Sequence, residues 1–194
     1  MTDTSDPAAV RKPRPDAERN RIRLLETAKA AFARKGSAAS LDEIARAAGV
    51  GAGTLYRHFP TRDALIEAVY RNELAQLVAT ADRLAKTEPP LTALREWLLA
   101  FVDYVATKHG MVEALNSIVG GTTDLYSASS AQMKQAATSL VETAVATGDI
   151  RLDVDPFDLL RALAGVAKKS SGQEGQQAAK RMVDILIAGI RSQP

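Results

Sequence analysis

Apolar residues recur three and four positions apart along most of this chain, which is the spacing of one face of an α-helix. The first such stretch predicts a helix from about Asp16 to Lys35, and its apolar face carries Ile22, Leu25, Ala28 and Phe32. Asp16 is placed to cap this helix at its start, and Gly36 ends it. The first predicted element is therefore an amphipathic helix.

A shorter helix is predicted over residues 41–48. Ser40 precedes it and Glu43 follows three residues later, which is the spacing of a capping box at a helix N-terminus. Gly49 ends this helix, and residues 51–59 then read GAGTLYRHF. So many hydrogen-bonding side chains in a short run are typical of a helix that contacts a polar partner.

The remaining two thirds of the chain also predict helices. Thr61 can cap a long helix whose apolar stripe is Leu65, Val69, Leu74, Leu77, Val78 and Leu84. Residues 150–155 alternate like a strand but have no second strand to pair with, so they predict an extended linker. Further helices are predicted over residues 91–109, 111–119, 123–147, 156–169 and 176–192. The fold class is all-α, with about nine helices and no sheet.

Composition narrows the class of protein. Of the 194 residues, 46% are hydrophobic and 25% are charged, which is ordinary for a globular protein. There is no cysteine, which excludes disulfides, thiolate catalysis and cysteine-ligated zinc. No stretch resembles a signal peptide or a membrane-spanning helix, so the sequence predicts a soluble, cytoplasmic protein.

Charge is distributed unevenly along the chain. Residues 1–62 carry 12 Lys and Arg against 7 Asp and Glu, whereas residues 63–194 carry 13 against 16. A basic first third fits a polyanionic partner at one end of the molecule. A solvated surface with a few surplus cations fits the same numbers equally well.

No set of residues predicts an enzyme. The only histidines are His58 and His109, and the G-x-S-x-G, H-E-x-x-H and P-loop patterns are missing. A group of aspartates suggests calcium but lacks the glycine and distal glutamate of an EF-hand; its members are Asp149, Asp153, Asp155 and Asp158. A solvated linker explains them better. We expect no catalytic residue, no metal and no cofactor.

The two short helices around residues 41–59 fit a helix-turn-helix. Its helices cross closely, so the first needs a small residue at the contact, and the turn needs a residue that tolerates positive φ. Ala45 and Gly49 supply these. Leu55 and Phe59 are four residues apart and would point inward, which leaves four polar side chains for DNA: Thr54, Tyr56, Arg57 and His58. Ordinary helical bundles also contain such helix pairs.

The sequence resembles the TetR family of bacterial transcriptional regulators. The resemblance rests on the helix that ends at Gly36, on residues 41–50, LDEIARAAGV, and on residues 53–59, GTLYRHF, followed by RDAL at residues 62–65. It is detailed over about residues 17–70 and holds only in plan beyond them. The resemblance implies a DNA-binding N-terminal domain, a helical body that binds a small molecule, and a homodimer that forms through the last two helices.

The resemblance also implies roles for single residues. Thr54, Tyr56 and His58 would contact the phosphate backbone of DNA, and Arg62 would hold a flanking phosphate. The residues nearest the bases would be Ala52, Gly53 and Arg57. Because Ala52 and Gly53 offer little hydrogen-bond readout, specificity would depend on Arg57, on contacts with thymine methyl groups, on DNA shape or on an N-terminal arm.

The first fifteen residues predict a flexible basic arm. Arg11, Lys12 and Arg14 could enter the minor groove, and a disordered tail that aids solubility is an equal alternative. The predicted domains are this arm at residues 1–15, a DNA-binding domain at residues 16–60, and a ligand-binding and dimerisation domain at residues 61–194.

Aromatic and methionine side chains in the body predict a mainly apolar effector cavity. Any one of them is more often plain core than a ligand contact. The candidates are Trp97, Phe101, Tyr104, Met111, Leu115, Tyr126 and Met133. Glu113, Asn116 or His109 could supply a polar anchor, and the sequence does not choose among them.

Apolar residues wrap more than one face of the last two predicted helices. They could close the core of a monomer, but with the resemblance they favour a two-fold four-helix interface. The predicted interface residues are Leu160, Leu163, Ala164, Val183, Leu186, Ile187 and Ile190. A dimer would place two recognition helices roughly 34–36 Å apart or somewhat more, which predicts a palindromic operator.

The sequence therefore predicts a homodimeric regulator, a repressor by expectation, that a small apolar effector releases from DNA. The long helix from Thr61 would act as the lever between the two domains. Two other functions stay open: an architectural DNA-binding protein without an effector, and a helical carrier or enzyme that uses the cavity. Loss of DNA affinity on substitution of Tyr56 or His58 by alanine would separate a regulator from a carrier or enzyme.

Overall fold

The computed structural model describes residues 15–169 and 172–192, and in these ranges the ordered elements are helices. Helices α1–α3 form the N-terminal part and α4–α9 the body, with a 3-10 turn at Gly36–Ala38 between α1 and α2. The nine described α-helices are α1 Pro15–Lys35, α2 Leu41–Ala47, α3 Ala52–His58, α4 Arg62–Thr87, α5 Pro90–Gly110, α6 Val112–Asn116, α7 Thr123–Ala146, α8 Pro156–Lys169 and α9 Gly172–Ile190. The all-α prediction is confirmed. The proposed arm residues Arg11, Lys12 and Arg14 lie outside the described ranges.

Two predicted helix boundaries are wrong, although α5 ends at Gly110, within one residue of the prediction. Helix α6 ends at Asn116 rather than near Val119. Helix α9 begins at Gly172 instead of Gln176, so the predicted polar loop before it is largely helical. Glycine and polar residues each disfavour a helix by only about 1 kcal/mol or less, so they need not end one.

The caps at two helix starts differ from each other. Thr61 accepts a hydrogen bond from the backbone N–H of Ala64 at 3.1 Å, as predicted. Ser40 precedes α2 without a side-chain capping bond, so the predicted capping box does not form. Glu43 instead accepts a hydrogen bond from Lys35, with Nζ and Oε2 2.6 Å apart. This bond and the lysine charge lower the pKa of Glu43 below its ordinary value.

The core of the N-terminal part lies between α1, α2 and α3. Its apolar side chains are almost fully buried and come from all three helices; they include Leu25, Ala28, Phe32, Ile44, Leu55 and Phe59. A further tie runs from α1 to α4, where Lys29 Nζ lies 2.6 Å from Glu73 Oε2. We call residues 15–61 the head. Burial of these residues holds α3 against α2 and fixes which of its faces points outward.

Helix α5 is the centre of the body and packs against α4, α7, α8 and α9. Trp97 is fully buried on α5, and its indole Nε1–H donates to the carbonyl of Leu77 on α4 at 3.0 Å. Polar contacts tie α5 to α9: Arg95 lies 2.7 Å from Asp184, and Lys180 lies 2.8 Å from Asp103. Since α5 contacts most other helices, its residues reach both the cavity and the last two helices.

The segment after α7 is extended, and it pairs with the end of the chain. The Arg151 N–H donates to the Ile190 carbonyl at 2.8 Å, and the Ser192 N–H donates to the Asp149 carbonyl at 3.0 Å. A single antiparallel bridge, Ile150 with Arg191, results. The prediction of a linker rather than a strand is confirmed, and its backbone partner is the residue that follows α9. No helix in the described ranges is long and apolar enough to cross a membrane.

Candidate functional site

The turn between α2 and α3 is set by Gly49. Its φ of +68° is a left-handed conformation that glycine adopts without a steric penalty. The Val50 N–H donates to the Ala45 carbonyl at 3.0 Å, and this bond closes the turn after α2. Ala45 is buried, and its small side chain allows the two helices to cross closely. This geometry is that of a helix-turn-helix.

Helix α3 has one buried face and one open face. Leu55 is 1% exposed and Phe59 is 3% exposed, so both side chains anchor α3 in the head. Tyr56 is 47% exposed, Arg57 is exposed, and Thr54 and His58 are half-buried. At the start of the helix Ala52 and Gly53 are exposed, and a methyl group at Gly53 would meet no atom within 4 Å. The open face could therefore approach a duplex without a steric obstacle from the protein itself.

Arg62, expected to hold a flanking phosphate, lies against the turn after α1. Its guanidinium donates to the carbonyls of Ala39 and Ser37, the latter at 2.8 Å. It also lies over the ring of Phe32, 5.3 Å from the ring centroid. These contacts fasten the start of α4 to the turn after α1, so Arg62 organises the head.

A cavity of about 330 Å³ lies in the body among α5, α7 and α8. This volume is at the lower end of the range for small-molecule sites, about 300–1,000 Å³. Four of the predicted ligand residues line it: Phe101, Tyr104, Tyr126 and Met133. The other lining residues are Val105, Lys108, His109, Val112, Phe157, Leu160, Arg161, Ala164 and Lys168. A largely apolar cavity with polar groups at some points is therefore present.

Three predicted ligand residues do not line the cavity. Trp97, Met111 and Leu115 are buried at 0–1% exposure and belong to the packed core. Trp97 already donates its N–H to Leu77, which leaves no polar group for a ligand. For Trp97, the periodicity of α5 could not separate the side that faces the cavity from the side that faces α4, because both sides are apolar.

Of the three candidate polar anchors, only His109 lines the cavity. Glu113 lies against Gly36 in the head, and Asn116 is an exposed residue at the end of α6. Tyr104 has a buried hydroxyl without a hydrogen-bond partner among the described residues. Burial raises the pKa of this phenol above its ordinary value, with a smaller contribution from Tyr70, so it stays neutral.

Two family models together match most of the chain. Residues 24–69 match the bacterial regulatory proteins of the tetR family, and residues 89–192 match the C-terminal domain of SbtR-like transcriptional regulators. The chain belongs to the TetR family of transcriptional regulators. The matched N-terminal region contains α2, α3 and the turn between them, so the helix-turn-helix of this TetR-family protein is its DNA-binding element.

Solved TetR-family structures share the whole architecture. A TetR transcriptional regulator of Streptomyces coelicolor is 44% identical and superposes with a TM-score of 0.82, over 90% of this chain and 99% of that chain. A TetR regulatory protein of Mycobacterium vanbaalenii is 35% identical, with a TM-score of 0.75 over 91% and 98% of the two chains. The transcriptional repressor KstR2 of Rhodococcus jostii is 27% identical over 89% of this chain and 91% of its own length.

Most of the predicted dimer residues of this TetR-family chain face its own core. Leu160, Leu163, Val183 and Ile187 are 0–8% exposed within one chain, and Leu160 and Ala164 line the cavity. Leu186 and Ile190 are half-buried. The apolar periodicity of α8 and α9 marks the face that closes the core of the monomer. This is the alternative that the sequence left open.

Sequence reasoning also missed residues near both sites. Lys108, Arg161 and Lys168 line the cavity, and none of them stood out as a candidate, since charged residues on amphipathic helices are usually solvated. In the head, the Arg21 guanidinium on α1 lies 5.8 Å from the ring centroid of Phe59, at the end of α3. Nothing in the sequence around Arg21 indicates that its side chain lies near Phe59.

Proposed function

We propose that this TetR-family regulator is a repressor that binds palindromic operator DNA as a homodimer and is released by a small effector bound in the body. The open face of α3, held in place by buried Leu55 and Phe59, is the observation that carries this proposal. The cavity of about 330 Å³ supports the effector. A relative along nearly the whole chain, KstR2 of Rhodococcus jostii, is named a repressor. A protein with this function would work in the cytoplasm, where the DNA is.

The proposed DNA contacts come from the open face of α3. Thr54, Tyr56 and His58 would donate to phosphates, and Arg57 would reach base edges in the major groove. Ala52 and Gly53 would allow the start of α3 to approach the bases closely. We leave Arg62 out of this set because its donors are engaged with the carbonyls of the head.

The proposed dimer surface is the outward stripe of α8 and α9. Ile185 is 63% exposed, which is unusual for a large apolar side chain. Methyl groups at Gly165 and Gly189 would meet no atom within 4 Å, so both glycines leave room for another helix. The stripe repeats at helical spacing and comprises Ala162, Gly165 and Val166 on α8 and Met182, Ile185, Leu186 and Gly189 on α9. Two copies of it would form a four-helix interface.

A short path connects the cavity with the head. Val112 lines the cavity at the start of α6, and the neighbouring Glu113 lies against Gly36 in the turn after α1. Arg62 holds the carbonyls of this same turn, and Asp63 accepts a hydrogen bond from the Val119 N–H at 3.0 Å. We propose that an effector displaces α6 and thereby the start of α4, so the lever includes α6 as well as the long helix.

Selection of random duplex DNA by the purified full chain tests the proposed function. The expected result is a palindrome whose affinity falls steeply with salt, because each neutralised phosphate releases counterions. Arg57→Ala should weaken binding by about 1–3 kcal/mol and relax specificity at one base pair in each half-site. Arg83→Ala removes the same charge from an exposed position on α4 and should leave affinity unchanged. No enriched site, or equal losses in both variants, would contradict the proposal.

Oligomeric state tests the dimer surface separately. Ile185→Lys places a charge in the proposed interface and should shift the protein toward monomers in sedimentation velocity runs. Val119→Lys adds the same charge at a residue that is 89% exposed and distant from α8 and α9 in sequence. This control should stay dimeric. A dimeric Ile185→Lys variant would rule out the stripe as the interface.

A further inference from the structure

The charged side chains that line the cavity are all basic. They are Lys108, Arg161 and Lys168, with the imidazole of His109 beside them, and no aspartate or glutamate is among the lining residues. Lys108 and Lys168 have no acidic partner among the ion pairs of the described residues, whereas Arg161 is paired with Asp158. Like charges at one small cavity repel each other. This arrangement calls for an anion in the cavity.

Lys108 is held without a carboxylate. Its Nζ lies 3.9 Å from the ring centroid of Tyr126 and 5.7 Å from that of Tyr70, so ring faces rather than an acidic group position the ammonium. Among the ion pairs of the described residues none includes Lys108. The aromatic faces accept no strong hydrogen bond, which leaves the ammonium donors available to a ligand.

The other two cations of the cavity, Arg161 and Lys168, are on α8. Arg161 is fixed by Asp158, with Nη1 and Oδ1 2.8 Å apart, and lies 5.0 Å from the ring centroid of Phe157. Lys168 is exposed and has no acidic partner among the described residues. Because Arg161 and Lys168 are seven residues apart, they lie on the same side of α8, two turns from each other.

The rest of the cavity fits an apolar body. Phe101, Met133 and Leu160 are buried apolar residues that line it, and the aromatic residues Tyr126 and Phe157 add ring surface. Tyr104 adds ring surface as well, since its hydroxyl is buried away from solvent. A lining that combines apolar surface with basic side chains corresponds to a molecule that has an apolar part and an acidic part.

We propose that the cavity binds an amphipathic anion, whose apolar body lies against Phe101, Met133 and Leu160 and whose carboxylate, sulfonate or phosphate lies against Lys108, Arg161 and Lys168. Calling this molecule the effector rests on the proposed function, but the binding chemistry does not. The sequence indicated only a mainly apolar effector. A cationic ligand would place like charges together, and a neutral one would leave Lys108 and Lys168 without an acidic partner.

Two fluorescent probes that share one body test the charge requirement. 8-Anilinonaphthalene-1-sulfonate carries a sulfonate, and N-phenyl-1-naphthylamine is the same body without it. Titration of the full chain in the absence of DNA should show about tenfold or tighter binding of the sulfonate, since hydrogen bonds to charged groups contribute about 1.5–3 kcal/mol. Calorimetry should give one sulfonate per chain. Equal affinity for the two probes would overturn the proposal.

Single substitutions locate the anion. Lys108→Gln and Lys168→Gln should each weaken the sulfonate several-fold and leave the neutral probe unchanged. Lys86→Gln removes a lysine from the exposed end of α4, outside the cavity, and should change neither probe. Circular dichroism unfolding of each variant excludes a general loss of structure. Unchanged sulfonate binding in both cavity variants would refute the proposed position.

Displacement of the bound sulfonate separates the sources of the anion. Decanoate and decyl phosphate should displace it, and the tighter of the two identifies the headgroup class. Decanol and decyltrimethylammonium share the same chain and should displace it poorly; displacement by either as strong as by decanoate would contradict an anion site. If anions bind in the cavity but do not release operator DNA from the protein, the effector role is disproved and the anion site stands.

Discussion

The head and the cavity are built in opposite ways. The open face of α3 comes from seven consecutive residues, Ala52–His58, and two buried neighbours fix its direction. The cavity takes its lining from residues between Phe101 and Lys168 on separate helices. One surface is local and the other is assembled by packing. The comparison teaches that a substitution can remove the open face of α3 without unfolding the molecule, whereas the cavity depends on the packing of the whole body.

Trp97→Ala should have the largest effect and tests whether the body depends on its core. Loss of this fully buried ring should lower the free energy of unfolding by about 3–5 kcal/mol. Trp97→Phe keeps most of the volume and loses the bond to the Leu77 carbonyl, so it should cost less. Because Trp97 is the only tryptophan, urea unfolding must be followed by circular dichroism. A loss of about 0.5 kcal/mol, typical of a surface site, would contradict the expectation.

Gly36→Ala should have an intermediate effect and tests the contact between head and body. The φ of Gly36 is +53°, and a methyl group there would lie 2.2 Å from Glu113 Oε2 and 3.1 Å from its Cβ. The left-handed backbone conformation that alanine would have to adopt should by itself lower the free energy of unfolding by about 1–2 kcal/mol. The second substitution Glu113→Ala should restore only the part of the lost stability that comes from the clash with the Glu113 side chain.

Gly53→Ala provides the matched control for this substitution. Gly53 lies within α3 and has no neighbour within 4 Å, so alanine should keep or raise stability, by about 0.5–1 kcal/mol. Thermal unfolding of both variants gives the comparison. Equal stability of Gly36→Ala and the unchanged protein would show that the turn after α1 adapts to a side chain.

Lys35→Gln should have the smallest effect and shows how little the surface of the head contributes. Without the lysine, the pKa of Glu43 should rise toward its ordinary value. Since the folded-state pKa is lowered, the pair stabilises the fold above the ordinary glutamate pKa of about 4.3, and this contribution disappears as the pH falls through the folded pKa. Carbon-13 NMR titration of Glu43 measures the change. An unchanged Glu43 pKa would mean that Lys35 is not its partner in solution.

Much of the head could be predicted because its determinants are close together in sequence. Gly49, Ala45, Leu55 and Phe59 all took the positions that their spacing indicated. Arg62 did not, because an arginine beside a turn can donate to backbone carbonyls as readily as to a phosphate, and only the position of the turn decides. The predicted capping box does not form, and Glu43 instead accepts a hydrogen bond from Lys35 across the turn. The position of this turn, too, is decided by tertiary packing.

The sequence by itself determined that the chain is helical, where its helix-turn-helix lies and which face of α3 is open. Helical periodicity and one glycine turn suffice for these because they act over a few residues. Only the tertiary structure decided that Leu160 and Ile187 close the monomer, that Trp97 is core, and that Lys108, Arg161 and Lys168 share one cavity. An apolar stripe shows that a helix face is buried, but the neighbour that buries it depends on how distant helices pack.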